Sequence, residues 1–61
     1  MQDFKFDLYD NTDGNYCFSV KKNDESIEQA ERVVKKEYKD NYSVDRSDEN
    51  NFKAREYIKV D

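Results

Sequence analysis

The chain has 61 residues, of which 11 are basic and 15 acidic, and it contains no histidine and one cysteine. This length indicates one domain spanning residues 1–61, with little room for a buried catalytic cleft. No apolar run reaches the roughly 18 residues that cross a membrane, and the aspartates among the first 20 residues argue against a signal peptide. One cysteine cannot form an internal disulfide, and structural zinc sites usually need histidine or several cysteines. We therefore expect a soluble, cytoplasmic protein without metal, cofactor or membrane contact.

The supply of core-forming side chains is small. Leu, Ile, Val and Phe account for 12 of the 61 residues, a fraction at which disorder becomes a serious alternative. Aromatic residues, however, make up 15% of the chain and proline is absent, which favours a folded domain. Because a core this small barely offsets the entropy lost on folding, we expect either a homodimer or an obligate protein partner.

The first 22 residues predict a β-hairpin. Residues 3–9 and 16–22 both alternate apolar and polar side chains, the pattern of half-buried strands. Between them, residues 10–15 contain Asp-Gly, and Gly14 can adopt the positive φ of a tight turn. The apolar side of the two predicted strands carries Phe4, Phe6, Leu8, Tyr16, Phe18 and Val20.

Residues 23–39 predict an amphipathic helix. Ile27, Ala30, Val34 and Tyr38 recur at helical spacing and form one apolar face. Asn23 or Asp24 is the expected N-cap. Charges suited to the helix dipole are Glu25 and Glu28 at the start and Lys35, Lys36 and Lys39 at the end.

The remaining sequence predicts two further strands. Tyr42 and Val44 alternate with polar residues in a short strand, and residues 47–50 form the following turn. Residues 52–60 alternate again, although Glu56 falls on the apolar side and needs a bulge or an exposed position.

These elements predict an α+β fold, in which an antiparallel sheet of three to four strands packs one face against the helix. The element order is ββαβ or ββαββ. We expect Phe6, Phe18, Val34 and Ile58 at the centre of the core. The other face should stay open to water or to a partner, and its predicted residues are Lys5, Asp7, Tyr9, Cys17, Ser19, Lys53, Arg55, Tyr57 and Lys59.

Three segments together resemble a known family. They are residues 4–8 (Phe-Lys-Phe-Asp-Leu), residues 26–30 (Ser-Ile-Glu-Gln-Ala) and residues 34–38 (Val-Lys-Lys-Glu-Tyr), followed by an acidic loop and a C-terminal strand. This succession resembles the DpnD/PcfM-like small proteins of Firmicute restriction loci and conjugative elements. The resemblance implies a mobile-element setting and assigns no catalytic residues.

No set of side chains indicates catalysis. Cys17 has no histidine to act as its base, and the carboxylates show no acid–base pair within a cleft. We therefore predict that the protein is not an enzyme and has no catalytic residue.

The acidic side chains are the first candidates for binding. A small acidic protein can occlude the basic groove of a nucleic-acid-binding enzyme by charge complementarity. We expect such a non-catalytic inhibitor, encoded by a phage or mobile element and of the anti-CRISPR or anti-restriction type. The candidate contact residues are Asp40, Asp45, Asp48 and Glu49 in the acidic loop, then Asp24, Glu25 and Glu28 at the helix start.

Two alternatives stay open. The open sheet face could bind nucleic acid, because basic residues interleaved with aromatics can contact phosphates and stack bases. Its candidate residues are Lys53, Arg55, Tyr57, Lys59 and Tyr9. The other alternative is an accessory protein whose main contact is a second copy of itself.

Overall fold

The computed structural model describes residues 1–47 and 56–61, which form four strands and one helix. The sheet has the order β3-β1-β2-β4, and the helix packs on one of its faces. This arrangement confirms the predicted α+β fold with the order ββαββ. The elements are β1 (Gln2–Asp10), β2 (Tyr16–Asp24), α1 (Ile27–Glu37), β3 (Tyr42–Arg46) and β4 (Tyr57–Val60).

The sheet is mixed, whereas the sequence pattern predicts antiparallel pairing throughout. Strand β1 pairs antiparallel with β2 and β3, but β4 runs parallel to β2. Strands β3 and β4 lie at opposite edges of the sheet, so the chain between them is a crossover rather than a hairpin. A crossover connection allows β3 and β4 to run in the same direction, which a tight hairpin does not.

The hairpin turn forms as predicted. The amide of Gly14 donates to the carbonyl of Asp10 at 2.8 Å, and Gly14 has a φ of 75°, which a residue without Cβ adopts without strain. The Asp10 carboxylate also accepts a hydrogen bond from the amide of Thr12 at 2.6 Å.

The helix begins later than predicted. Ser26 is the N-cap, and its side chain accepts a hydrogen bond from the amide of Gln29 at 3.2 Å. Asn23 and Asp24, the predicted caps, instead end β2. Pairing with β1 holds both residues in the sheet, since Asn23 lies opposite Asp3, and strand pairing therefore outcompetes their capping propensity.

The core lies between α1 and the sheet, and its buried members come from β1, β2 and α1, with Val60 added from β4. Its fully buried members include Phe6 and Val34, as predicted, while Phe18 is partly buried. Ile58 was expected at the centre but is 56% exposed. It lies on the edge strand β4, and α1 contacts mainly the other three strands, so the helix does not cover it.

Glu56 precedes β4 and is exposed, in line with the expectation that this carboxylate faces water. The predicted strand positions 52–55 and most of the predicted turn at 47–50 lie outside the described residues. Within the part of the chain that the structure describes, no helix has the length and hydropathy needed to span a membrane.

Candidate functional site

The sheet face opposite α1, called the second face below, carries a buried polar network at its centre. Asp7 is 4% exposed and Ser19 is 1% exposed. The Ser19 hydroxyl donates to Asp7 Oδ1 at 2.6 Å, and the Ser47 hydroxyl donates to the same oxygen at 3.0 Å. These hydrogen bonds satisfy a carboxylate that would otherwise be costly to bury. The expectation that Asp7 and Ser19 are open to water is therefore wrong.

Tyr16 also belongs to the second face, although its sequence position predicts the apolar side. Leu8 lies opposite Phe18, but Tyr9 lies opposite Tyr16, which leaves Cys17 as an extra residue. This β-bulge reverses the side-chain alternation. The Tyr16 ring packs edge-on against Tyr9 at 5.9 Å between centroids, and its hydroxyl lies 2.8 Å from that of Ser19.

Three lysines form a row across the second face, called the lysine row. Lys5, Lys21 and Lys59 lie directly opposite one another on β1, β2 and β4. The Lys5 ammonium lies 5.2 Å from the centre of the Tyr57 ring, a cation–π distance.

The lysine row is bordered by carboxylates. Two residues away on β1, Asp3 lies on one side of the row and Asp7 on the other, and Asp45 pairs opposite Asp7 on β3. The candidate nucleic-acid surface therefore has mixed charge among the described residues. Of its predicted members, Tyr9 and Tyr57 are half-buried and Lys59 is exposed, while Lys53 and Arg55 lie outside the described residues.

The structure gathers a set of acidic residues at the end of the sheet where β1 begins and β2 ends. Gln2 pairs with Asp24, and Lys22 pairs with Val60, so the chain segments that start β1, end β2 and end β4 meet there. We call this set the acidic end. It consists of Asp3, Asp24, Glu25, Glu28 and Asp61.

The predicted acidic loop does not join the acidic end. Asp40 lies near the hairpin turn, since the amide of Asn11 donates to the carbonyl of Asn41 at 3.2 Å. The nine residues of β1 separate the two ends by roughly 27 Å. Asp45 is exposed on the second face, and Asp48 and Glu49 lie outside the described residues.

Three of the five acidic-end residues were predicted from the sequence. Asp24, Glu25 and Glu28 are neighbours in the chain and were predicted as a second-ranked contact. Asp3 and Asp61 join them only through strand pairing, and no local signal in the sequence could have placed them there.

One ion pair joins the helix to the edge strand β3. The Arg46 guanidinium lies 3.3 Å from Glu31 Oε1, and Lys35 lies 4.0 Å from Glu31 Oε2. The hydrogen bond to Glu31, followed by its charge, raises the pKa of Arg46. This pair is a solvent-exposed contact between α1 and β3, and such pairs contribute little to stability.

Two shallow hollows flank the helix. One, of about 380 Å³, lies between α1 and β3 and is lined by Lys35, Lys39, Tyr42, Ser43 and Val44. The other, of about 360 Å³, is lined by Asp24, Gln29, Arg32, Val33 and Lys36. Cys17 is exposed, and residues 1–47 and 56–61 contain no group of three or more side chains placed to hold a metal ion.

Comparison with known proteins adds no relative. No family model matches the chain, and no curated protein or solved structure is significantly similar to it. The resemblance to the DpnD/PcfM-like proteins therefore stays a prediction, and the surfaces described above carry the functional argument.

Proposed function

We propose that this is a non-catalytic binding protein that occludes the basic groove of a protein partner, of the kind found in nucleic-acid-binding enzymes. The observation that carries the proposal is the acidic end. Strand pairing places carboxylates from three separate chain segments at the same end of the sheet, and a basic groove is the complementary surface.

The individual environments support a binding role for two of these residues. Glu25 and Glu28 are exposed, and neither forms an ion pair within the described part of the chain. Asp24 and Asp3 have local partners, the amide of Glu25 at 2.7 Å and the side chain of Asn23 at 2.9 Å. Because the charge of Glu28 also acts on Arg46, Glu25 is the residue whose charge is most available to a partner, followed by Glu28.

The nucleic-acid alternative is weaker on these observations. Phosphates approaching the lysine row would also approach Asp3 on one side, and Asp45 lies exposed further along the same face. A mobile-element inhibitor of the anti-CRISPR or anti-restriction type remains our interpretation of the setting, because the family resemblance implies it.

Capture followed by reconstitution tests the proposal. A protein captured from the lysate of a defence-bearing host is purified, and its nucleic-acid binding is titrated with this chain. We expect stoichiometric loss of nucleic-acid binding, and we expect salt to weaken the complex because exposed charges are screened beyond about 8 Å at physiological ionic strength. Unchanged nucleic-acid binding by the captured protein would contradict occlusion.

Charge-reversed variants locate the contact. Glu25→Lys with Glu28→Lys should weaken binding and slow association. Glu37→Lys with Asp13→Lys makes the same change in net charge at the opposite end, on two exposed residues that are not candidate contacts, and serves as the matched control. Asp48→Lys with Glu49→Lys tests the acidic loop. If only Arg55→Glu or Tyr57→Ala reduced binding, the second face would be the contact and the acidic model would be wrong.

A further inference from the structure

We infer that two copies of this chain associate through the free edge of β3, forming one continuous sheet across a two-fold axis at Val44. This inference goes beyond the proposed function and does not depend on it, because it rests on the backbone of β3 and not on the carboxylates of the acidic end. It rests on the direction of backbone groups, on the pairing that symmetry imposes, and on the charges of the adjoining helix.

Among residues 1–47 and 56–61, no strand pairs with the outer side of β3. In a strand, alternate residues direct their N–H and C=O groups toward opposite neighbours. The Ser47 amide donates to Lys5 at 2.9 Å, and the Asn41 carbonyl accepts from Asn11, so the odd-numbered residues here face β1. The residues whose backbone groups face outward are Tyr42, Val44 and Arg46.

Most of these outward groups are available for pairing. The Tyr42 amide already donates to the carbonyl of Tyr38, at 3.3 Å. The sheet order places β3 at an edge, with β1 as its neighbour among the described strands. The N–H groups of Val44 and Arg46 and the carbonyls of all three residues can therefore pair with another strand, as in β-strand addition.

A two-fold axis at Val44 places complementary residues opposite one another. Val44 meets its own copy in an apolar pair, and Ser43, whose hydroxyl donates to the side chain of Asn11 in its own copy, meets the second copy's Asp45. Tyr42 meets the second copy's Arg46, whose guanidinium can lie over the ring. No like charges oppose each other in this register, which favours the pairing.

The helix flank is complementary under the same axis. Helix α1 runs antiparallel to β3, since its end lies near Tyr42 and its Glu31 lies near Arg46. The symmetry brings Lys39 of one copy to the level of Glu31 of the other, while Lys35 lies close to the axis and faces its own copy. The hollow of about 380 Å³ beside β3, which those lysines line, would be closed by the second copy.

The contact is small, so we expect a concentration-dependent equilibrium rather than a permanent dimer. Five residues of edge strand and one helix flank lie at the low end of interface size. Sedimentation velocity over a dilution series should show the average mass rising from monomer toward dimer. A wild-type protein that stays monomeric across the series would overturn the inference.

Val44→Pro is the decisive variant. Proline lacks the N–H that pairing requires, and at an edge position with an outward N–H it leaves the ladder to β1 intact. We expect the variant to remain monomeric at concentrations where the wild type dimerises. The matched control is Ile58→Lys on the other edge, which should dimerise normally. If Ile58→Lys abolished the dimer instead, β4 would be the interface and the inference would be wrong.

A measurement on the wild type keeps the test independent of whether Val44→Pro folds. Amide hydrogen exchange at Val44 and Arg46 should slow as protein concentration rises, whereas exchange of exposed amides elsewhere should not. Lys39→Glu should weaken dimerisation, and Lys36→Glu, on the opposite helix flank, should leave it unchanged. Exchange at Val44 that does not depend on concentration would contradict the inference.

Discussion

Single residues decide which polar groups this small sheet can bury. Asp7 and Ser19 lie at positions that alternation assigns to an open face, yet they are nearly inaccessible. Hydroxyl groups from two other segments reach the Asp7 carboxylate. A buried polar group without such partners costs free energy, whereas a satisfied one specifies a single arrangement.

Ser19→Ala should therefore lower the free energy of unfolding by about 1–3 kcal/mol. It removes one of the hydroxyls that donate to Asp7 and the group that contacts the Tyr16 hydroxyl. Thr12→Ala is the control, because Thr12 is exposed in the hairpin turn, and exposed substitutions usually change stability by about 0.5 kcal/mol or less. Urea denaturation measures the free energy of unfolding of both variants. Equal losses would contradict a stabilising role for the hydrogen bonds around Asp7.

Adjacent valines on α1 provide a second residue-scale test. Val34→Asp should cost several kcal/mol, because it places an unpaired carboxylate in the core. Val33→Asp should cost little, since Val33 is 36% exposed while Val34 is fully buried. Thermal melting of the two variants checks the helix orientation, and a Val34→Asp protein with the wild-type melting temperature would contradict it.

At the scale of elements, competition between neighbouring elements determines the boundaries. Ser26 rather than Asn23 or Asp24 caps α1, because β2 extends to Asp24 through pairing with Gln2. The bulge at Cys17 likewise arises where the strand register shifts near the hairpin. Local propensity predicts that a cap and a turn exist, but the extent of strand pairing decides where they are.

Ser26→Ala should destabilise the protein by about 1 kcal/mol through loss of the cap. Ser26→Asp retains an oxygen acceptor for the Gln29 amide and should restore most of that stability. Circular dichroism during urea unfolding measures the difference. Equal stability of the alanine and aspartate variants would contradict the cap assigned to Ser26.

For the whole molecule, the small core and the outer edge of β3 both lead us to expect that stability depends on self-association. If folding is coupled to association through β3, the melting temperature should rise with protein concentration, because binding to the native state stabilises it by mass action. A tenfold higher concentration corresponds to about 1.4 kcal/mol at most. Calorimetry at two concentrations tests this, with Val44→Pro as a control whose melting temperature should not depend on concentration.

The sequence by itself determined the element types, the hairpin, the helix and most of the core, because side-chain periodicity and turn chemistry are local properties. Only the tertiary structure decided the parallel direction of β4, the exposure of Ile58 and the burial of Asp7. Each of these depends on strand order, which brings together residues far apart in the chain. The same reason applies to the candidate sites. Glu25 and Glu28 are close in the sequence, whereas Asp3 and Asp61 reach the same end of the sheet only through the pairing of β1, β2 and β4.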